Sequence, residues 1–236
     1  MALPIYLAMT AWEMAHRELP RHCGYMACHF SPYGLGLSNF PTLLPEGSLL
    51  IVNDRIPPFG HDPELIAQQL QSAAEQFAPR GILLDFQRPC NKETANIARA
   101  ICGLSFPTAV TECYASDCGT AVFLPSVPLN RTLEQHIAPW TEREIWLEID
   151  CVGLTMTLTR AGCVCSAEEV SLHEPMFTDD KLHCHYSTKL QEDRAVFSLA
   201  RHQEDIQALL EEAEQLGICL AAGLYQELSA FYLSTE

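Results

Sequence analysis

Short apolar runs separated by amphipathic stretches set the rhythm of this chain. Runs at 4–10, 24–30, 48–53, 81–86, 108–114 and 120–124 carry few polar positions. Strands buried on both faces in a parallel sheet read this way. Between them lie helical stripes. Ala11 to Leu19 forms a first short helix. Asp62 caps a second, Pro63 fits its first turn, and Ile66, Leu70, Ala73 and Phe77 recur at helical spacing until Pro79 and Gly81 end it. Asn91 caps a third, with Ile97 and Ile101 on its buried side. A later stripe, Ile206, Leu209, Leu210, Ala213 and Leu216, ends at Gly217 and leads into a last strand at 218–224.

The rhythm changes between 144 and 200. Ile145-Trp146-Leu147-Glu148-Ile149 and Leu154-Thr155-Met156-Thr157-Leu158 read as two strands around 150–153. Segments 182–190 and 195–199 read as another pair around 191–194. No helical stripe separates the members of either pair, so both read as antiparallel hairpins. The whole predicts an α/β fold: a TIM-like (β/α) barrel in one domain over 1–236, with an antiparallel hairpin insertion at 144–200. The barrel needs one strand from the hairpin region to reach eight. An open doubly wound sheet is the alternative. No Gly-x-Gly-x-x-Gly turn and no Walker-type phosphate loop follows an early strand, which argues against nucleotide cofactors.

Composition narrows the partners. The chain has 236 residues and a formal net charge of −16, which argues against nucleic acid. The acidic excess concentrates in the last third, where residues around Glu204 to Glu214 form a solvated helix face. No apolar window is long enough to span a bilayer, so no membrane partner is expected. The N-terminal stretch lacks a basic region, and Trp12 and Glu13 interrupt it. With eleven cysteines, an odd number, this predicts a cytoplasmic protein with mostly free thiols.

In a parallel barrel, ligands bind where strands end at their C-terminal edge. Polar residues stand at several predicted edges: His29 and Tyr33, then Asn53, Asp54 and Arg55, then Asp85, Gln87 and Arg88, then Glu112 and Tyr114, and finally Tyr225 and Glu227. These are the candidate site, with Asp85 and Glu112 as its carboxylate pair on neighbouring strands. Such pairs split their pKa values and can serve as acid and base. Phe59, Phe86, Tyr114, Trp146, Tyr186 and Tyr225 are the aromatic residues available to a sugar-stacking cleft, although Trp146 reads as core. Two metal-type spacings occur. His183-Cys184-His185 and Cys163-Val164-Cys165 each put two donors on one face of a strand, a two-plus-two set that zinc accepts. No stronger metal spacing occurs, and the sequence predicts no metal and no cofactor.

One segment carries a resemblance. Arg80-Gly81-Ile82-Leu83-Leu84-Asp85-Phe86-Gln87-Arg88-Pro89 resembles the fourth-strand signature of chitinase-like glycoside hydrolases of family 18, Asp-Gly-x-Asp-x-Asp-Trp/Phe-Glu-x-Pro. Asp85 stands at its last Asp, Phe86 at its aromatic position and Pro89 at its Pro. Ala222-Gly223-Leu224-Tyr225-Gln226-Glu227 looks like the last-strand segment, with Tyr225 at the aromatic floor position. The resemblance implies a barrel with a sugar-shaped cleft. The departures are specific: Gln87 replaces the general-acid Glu, and Arg80 and Leu83 replace the earlier Asp residues. An amide cannot protonate a glycosidic oxygen. Non-catalytic binding of a small polar ligand or glycan is therefore the first expectation. A glycosidase using Asp85 and Glu112 is the second. The third is an interaction module whose hairpin insertion binds another protein or a second copy of the chain.

Overall fold

The computed structural model describes residues 3–116, 118, 120–151, 153–167, 170 and 172–232. In chain order the first half holds β1 (Ile5–Met9), α1 (Ala11–His16), β2 (Cys23–Phe30), β3 (Leu37–Ser38), β4 (Leu49–Asn53), α2 (Pro63–Phe77), β5 (Gly81–Asp85), α3 (Lys92–Cys102), β6 (Thr108–Thr111), α4 (Glu112–Ala115) and β7 (Ala121–Leu124). The second half holds α5 (Leu133–Ile137), a 3-10 turn, β8 (Ile145–Glu148), β9 (Leu154–Thr159), β10 (Gly162–Ala167), β11 (Met176–Asp179), β12 (Cys184–Leu190), β13 (Arg194–Ala200), α6 (Gln203–Gln215), β14 (Leu220–Leu224) and α7 (Tyr225–Tyr232).

Eight parallel strands close into a barrel in the order β1, β2, β4, β5, β6, β7, β8, β14, with β14 pairing back to β1. The two-residue β3 adds to β2 in antiparallel sense. The expected barrel is the fold, and the open sheet is excluded by the β1–β2 and β1–β14 pairings. Both strand faces are buried, which explains the unbroken apolar runs. Tyr6, Leu49, Ile51, Leu83, Phe123, Trp146 and Leu220 fill the interior. Their neighbours Leu50, Val52, Ile82, Leu84, Val110 and Leu147 face outward onto Ile66, Leu70, Ile97, Ile101, Ile206 and Leu209 of α2, α3 and α6.

The helix signals act as anticipated. Asp62 Oδ1 accepts from the Glu64 and Leu65 amides at 3.0 and 3.4 Å, and Asn91 Oδ1 accepts from Thr94 N at 2.9 Å. Helix α2 closes on Ala78 in the left-handed conformation (φ 46°), just before Pro79. Gly81 opens β5 because a side chain there has no room. A Cβ would stand 2.6 Å from Trp146 Cη2 and 2.9 Å from the Pro107 carbonyl oxygen.

Two strand assignments are corrected. Ile145–Glu148 is not half of a hairpin with 154–158; it is the seventh barrel strand, parallel to β7 and β14. The alternation of buried Trp146 with Ile145 and Leu147 reflects a two-faced barrel strand, which short periodicity does not separate from a hairpin strand. The fifth run ends as a strand at Thr111, and Glu112 starts a helical turn, so Glu112 and Tyr114 leave the sheet.

The antiparallel insertion is one five-stranded sheet, β10-β9-β13-β12-β11, between β8 and α6. The pairing of 182–190 with 195–199 is present as β12–β13. Beneath the sheet lies a small core of Leu129, Cys184 and Leu199. Arg201 is buried at the joint, donating from Nη1 to Val127 O (2.6 Å) and from Nε to His183 O (3.3 Å). Leu158 and Leu190 flank Ala195 across three strands and are exposed, a short apolar row beyond that core.

Candidate functional site

Side-chain alternation decides what reaches the barrel mouth. On β5, Gly81 and Leu83 face inward, so Asp85 does too. On β4, Leu49 and Ile51 face inward, followed by Asn53, the register partner of Asp85. On β8, Trp146 faces inward, followed by Glu148. Asn53, Asp85 and Glu148 are therefore the top inward layer of the barrel.

A cleft of 730 Å³ opens above β2, β4 and β5. It brings together seven of the sequence-predicted residues: His29, Asn53, Asp54, Arg55, Asp85, Gln87 and Arg88. Several of these shape the cleft rather than offer free groups. Asn53 Nδ2 donates to the Met26 and Cys28 carbonyls at 2.9 and 3.1 Å. It thereby satisfies oxygens beside a register shift in the β2–β4 ladder. Buried Asp54 accepts from Gln87 N and Arg88 N, both at 3.0 Å. Arg88 returns the link, donating from Nε to Asp54 O at 2.8 Å and from Nη2 to Arg55 O at 2.8 Å. These bonds lock the loop after β5 onto the loop after β4. His29 lies 2.7 Å from Phe30 O through Nδ1 and 2.9 Å from Asn39 Nδ2 through Nε2.

The side chains left facing the cleft are Arg55, Asp85 and Gln87. Gln87 Nε2 donates to Asp85 Oδ1 at 3.1 Å. Burial raises the Asp85 pKa above the usual carboxylate value; the Gln87 bond opposes this and the Asp54 charge adds to it.

The sequence reading missed Glu148. Burial, then the charges of Asp85 and Asp150, push its carboxyl up to about 7, against a weak bond from Ser126 N (3.4 Å). Asp150 is itself held by Ser126 Oγ at 2.6 Å. The signal was present in the inward parity with Trp146, but only once Ile145–Glu148 is placed in the barrel.

The remaining candidates do not join the cleft. Tyr33 is almost fully exposed on the loop between β2 and β3. Glu112 is exposed at the start of α4, and its charge acts on His136, while the carboxylate that feels Asp85 is Glu148. Tyr114 is buried in the outer core, its ring edge-on to Phe86 at 5.8 Å. Tyr225 packs half-buried against the same core. Glu227 is exposed on α7, close enough for its charge to raise Glu148. The two-plus-two metal set does not form either. His183 precedes β12 and bonds Glu212, whereas Cys163 and Cys165 lie on edge strand β10. Three strand spacings separate β10 from β12, about 14 Å.

No protein-family model and no curated protein sequence matches the chain. Solved structures do match in fold. A glycoside hydrolase family 18 N-acetylglucosaminidase from Paenibacillus barengoltzii superposes with a TM-score of 0.60 at 10% identity, covering 98% of this chain and 99% of that one. A family 18 chitinase from Cycas revoluta, solved in complex with (GlcNAc)3, gives 0.59 at 10% identity over 99% and 98%. The spore cortex-lytic enzyme SleL of Bacillus cereus gives 0.56 at 10% identity over 94% and 70%. The chain thus has the barrel fold of the chitinase-like family 18 enzymes.

Proposed function

We propose that this barrel binds a glycan across the C-terminal ends of its strands and does not hydrolyse it. The observation that carries the reading is the Gln87–Asp85 hydrogen bond. Where a hydrolase of this fold needs an acid two residues after Asp85, this chain holds an amide that has no proton to give a leaving group. Asp85 and Gln87 together offer acceptors and donors suited to sugar hydroxyls. The cleft has the volume of a small-ligand site. Among the described residues no helix is long and apolar enough to cross a membrane. The eleven cysteines are all free thiols, which suits a reducing compartment such as the cytoplasm.

Calorimetric titration with β-1,4-linked N-acetylglucosamine oligomers tests this. Asp85→Ala is expected to weaken binding by about 10–100-fold, the loss of a charged hydrogen bond of about 1.5–3 kcal/mol. Its circular dichroism and thermal midpoint should stay near those of the parent. Absence of binding by the parent protein at millimolar oligomer overturns the glycan reading.

A second reading is supported by Glu148. A carboxyl with a pKa of about 7, within the field of Asp85, is half-protonated at neutral pH and suited to general-acid work. In this hydrolase reading Glu148 takes the role first expected of Glu112. Reducing-end release from the same oligomers, lost in Glu148→Gln and kept in Glu112→Gln, would establish hydrolysis in place of simple binding.

A further inference from the structure

At the joint between the insertion and the barrel, one end of β12 meets the start of α6. His185 on β12 points at the first turn of that helix. Its Nδ1 lies 2.8 Å from Asp205 Oδ2, and its Nε2 lies 3.3 Å from Glu204 Oε1. The His202 ring stacks on it, centroids 4.6 Å apart at 26°. One donor atom each from His185, His202 and Glu204 falls within 4.8 Å of the others.

We propose that His185, His202 and Glu204 form a binding site for a divalent transition ion, with zinc as the fitting choice. Asp205 is the residue that arranges it. It is buried, and its Oδ2 also accepts from His202 N at 2.7 Å, so the carboxylate is fixed in place. A carboxylate so placed takes the Nδ1–H of His185 and leaves the Nε2 lone pair free. Metal-binding histidines are held in this way. That lone pair faces a carboxylate oxygen and a second imidazole, an electron-rich pocket that a cation completes.

The dimensions fit. Ligands at zinc–nitrogen and zinc–oxygen distances of about 2.0–2.2 Å in a tetrahedron stand about 3.4 Å apart. The His185–Glu204 pair is already there, and the donor atom of exposed His202, within 4.8 Å of the others, closes the set by moving inward. Two imidazoles and one carboxylate select zinc, nickel or cobalt over calcium or magnesium. Three protein ligands leave one position for water. The bound ion ties the insertion sheet to α6, across a joint that Arg201, the His183–Glu212 and His185–Asp205 contacts and a small apolar core also hold. The site is separate from the barrel mouth and does not depend on the glycan reading.

The test is calorimetric titration of the reduced, chelator-treated full chain with Zn2+, with thermal denaturation alongside. Because exposed Cys163 and Cys165 are alternative zinc ligands, the Cys163→Ser/Cys165→Ser variant serves as the control. One equivalent is expected to bind tightly in both the parent and this control, and to raise the midpoint of each. His202→Ala and Glu204→Gln change exposed residues and should fold normally by circular dichroism. Each should weaken that equivalent by at least about 100-fold, since loss of even a partner behind the ligands costs about 10–100-fold. Equal zinc binding in parent and His202→Ala overturns the site. So does loss of all tight binding in the cysteine control. Failure of the parent to bind zinc also overturns it.

Discussion

Glu148→Gln is expected to stabilise the protein in a pH-dependent way, by about 1 kcal/mol at pH 5.5 and about 3 kcal/mol at pH 8. Burial and the charges of Asp85 and Asp150 raise the carboxyl from 4.5 to about 7 in the folded state. Below pH 4.5 both folded and unfolded chains hold the proton, and the group costs nothing. As pH rises from about 4.5 to 7, the unfolded chain releases its proton first. The folded state then binds more protons, and stability falls through this window. Above 7 the whole penalty is present. Glutamine keeps the neutral shape and removes the penalty. Urea denaturation under reducing conditions at the two pH values measures the difference. An equal effect at both would mean that Glu148 ionises normally and is not inside the field of Asp85.

Trp146→Ala should cost about 3–5 kcal/mol, the range for removing a large aromatic side chain from a close-packed interior. That is a large share of the 5–15 kcal/mol typical of a folded domain. Trp146 is 1% exposed, lies inside the barrel among Leu83, Phe123 and Leu220, and donates from Nε1 to Glu144 Oε1 at 2.8 Å. The opposite change at the same contact should also destabilise. Gly81→Ala forces a methyl against the indole and the Pro107 carbonyl, which overpacking data put at about 1–3 kcal/mol. The two residues touch, so their effects should not add: Gly81→Ala should cost less when Trp146 is already Ala. The Pro107 oxygen remains in either case, so some penalty should persist. A loss below 1 kcal/mol for Trp146→Ala would contradict its place in the barrel interior.

The candidate cleft was legible in the sequence wherever local periodicity and strand order sufficed. Asp85 follows an apolar run ended by loop residues, and its neighbours on β4 carry the same signature, so the cleft above β4 and β5 was visible beforehand. Glu148 was not, because a short apolar run of three residues ending in an acid describes a barrel strand and a hairpin strand equally well. Tyr114 and Glu112 were assigned to a strand end because a turn of helix directly after a strand has no separate apolar period. The His185, His202 and Glu204 cluster was half visible. His183-Cys184-His185 drew attention to the segment, but the partners lie across a strand and a turn, where spacing carries no rule.

The amino-acid sequence by itself determined the alternation of strands and helices, the helix caps at Asp62 and Asn91, and the amide at Gln87 that replaces an acid. These depend on interactions within a few residues and on which faces are apolar. Tertiary structure alone decided that β1 closes on β14, that Ile145–Glu148 enters the barrel, and that Glu148 rather than Glu112 shares the field of Asp85. It also decided that His185 meets His202 and Glu204. Those outcomes depend on strand register and barrel closure. Both are set by the summed packing of the two cores, and no local stretch of sequence records them.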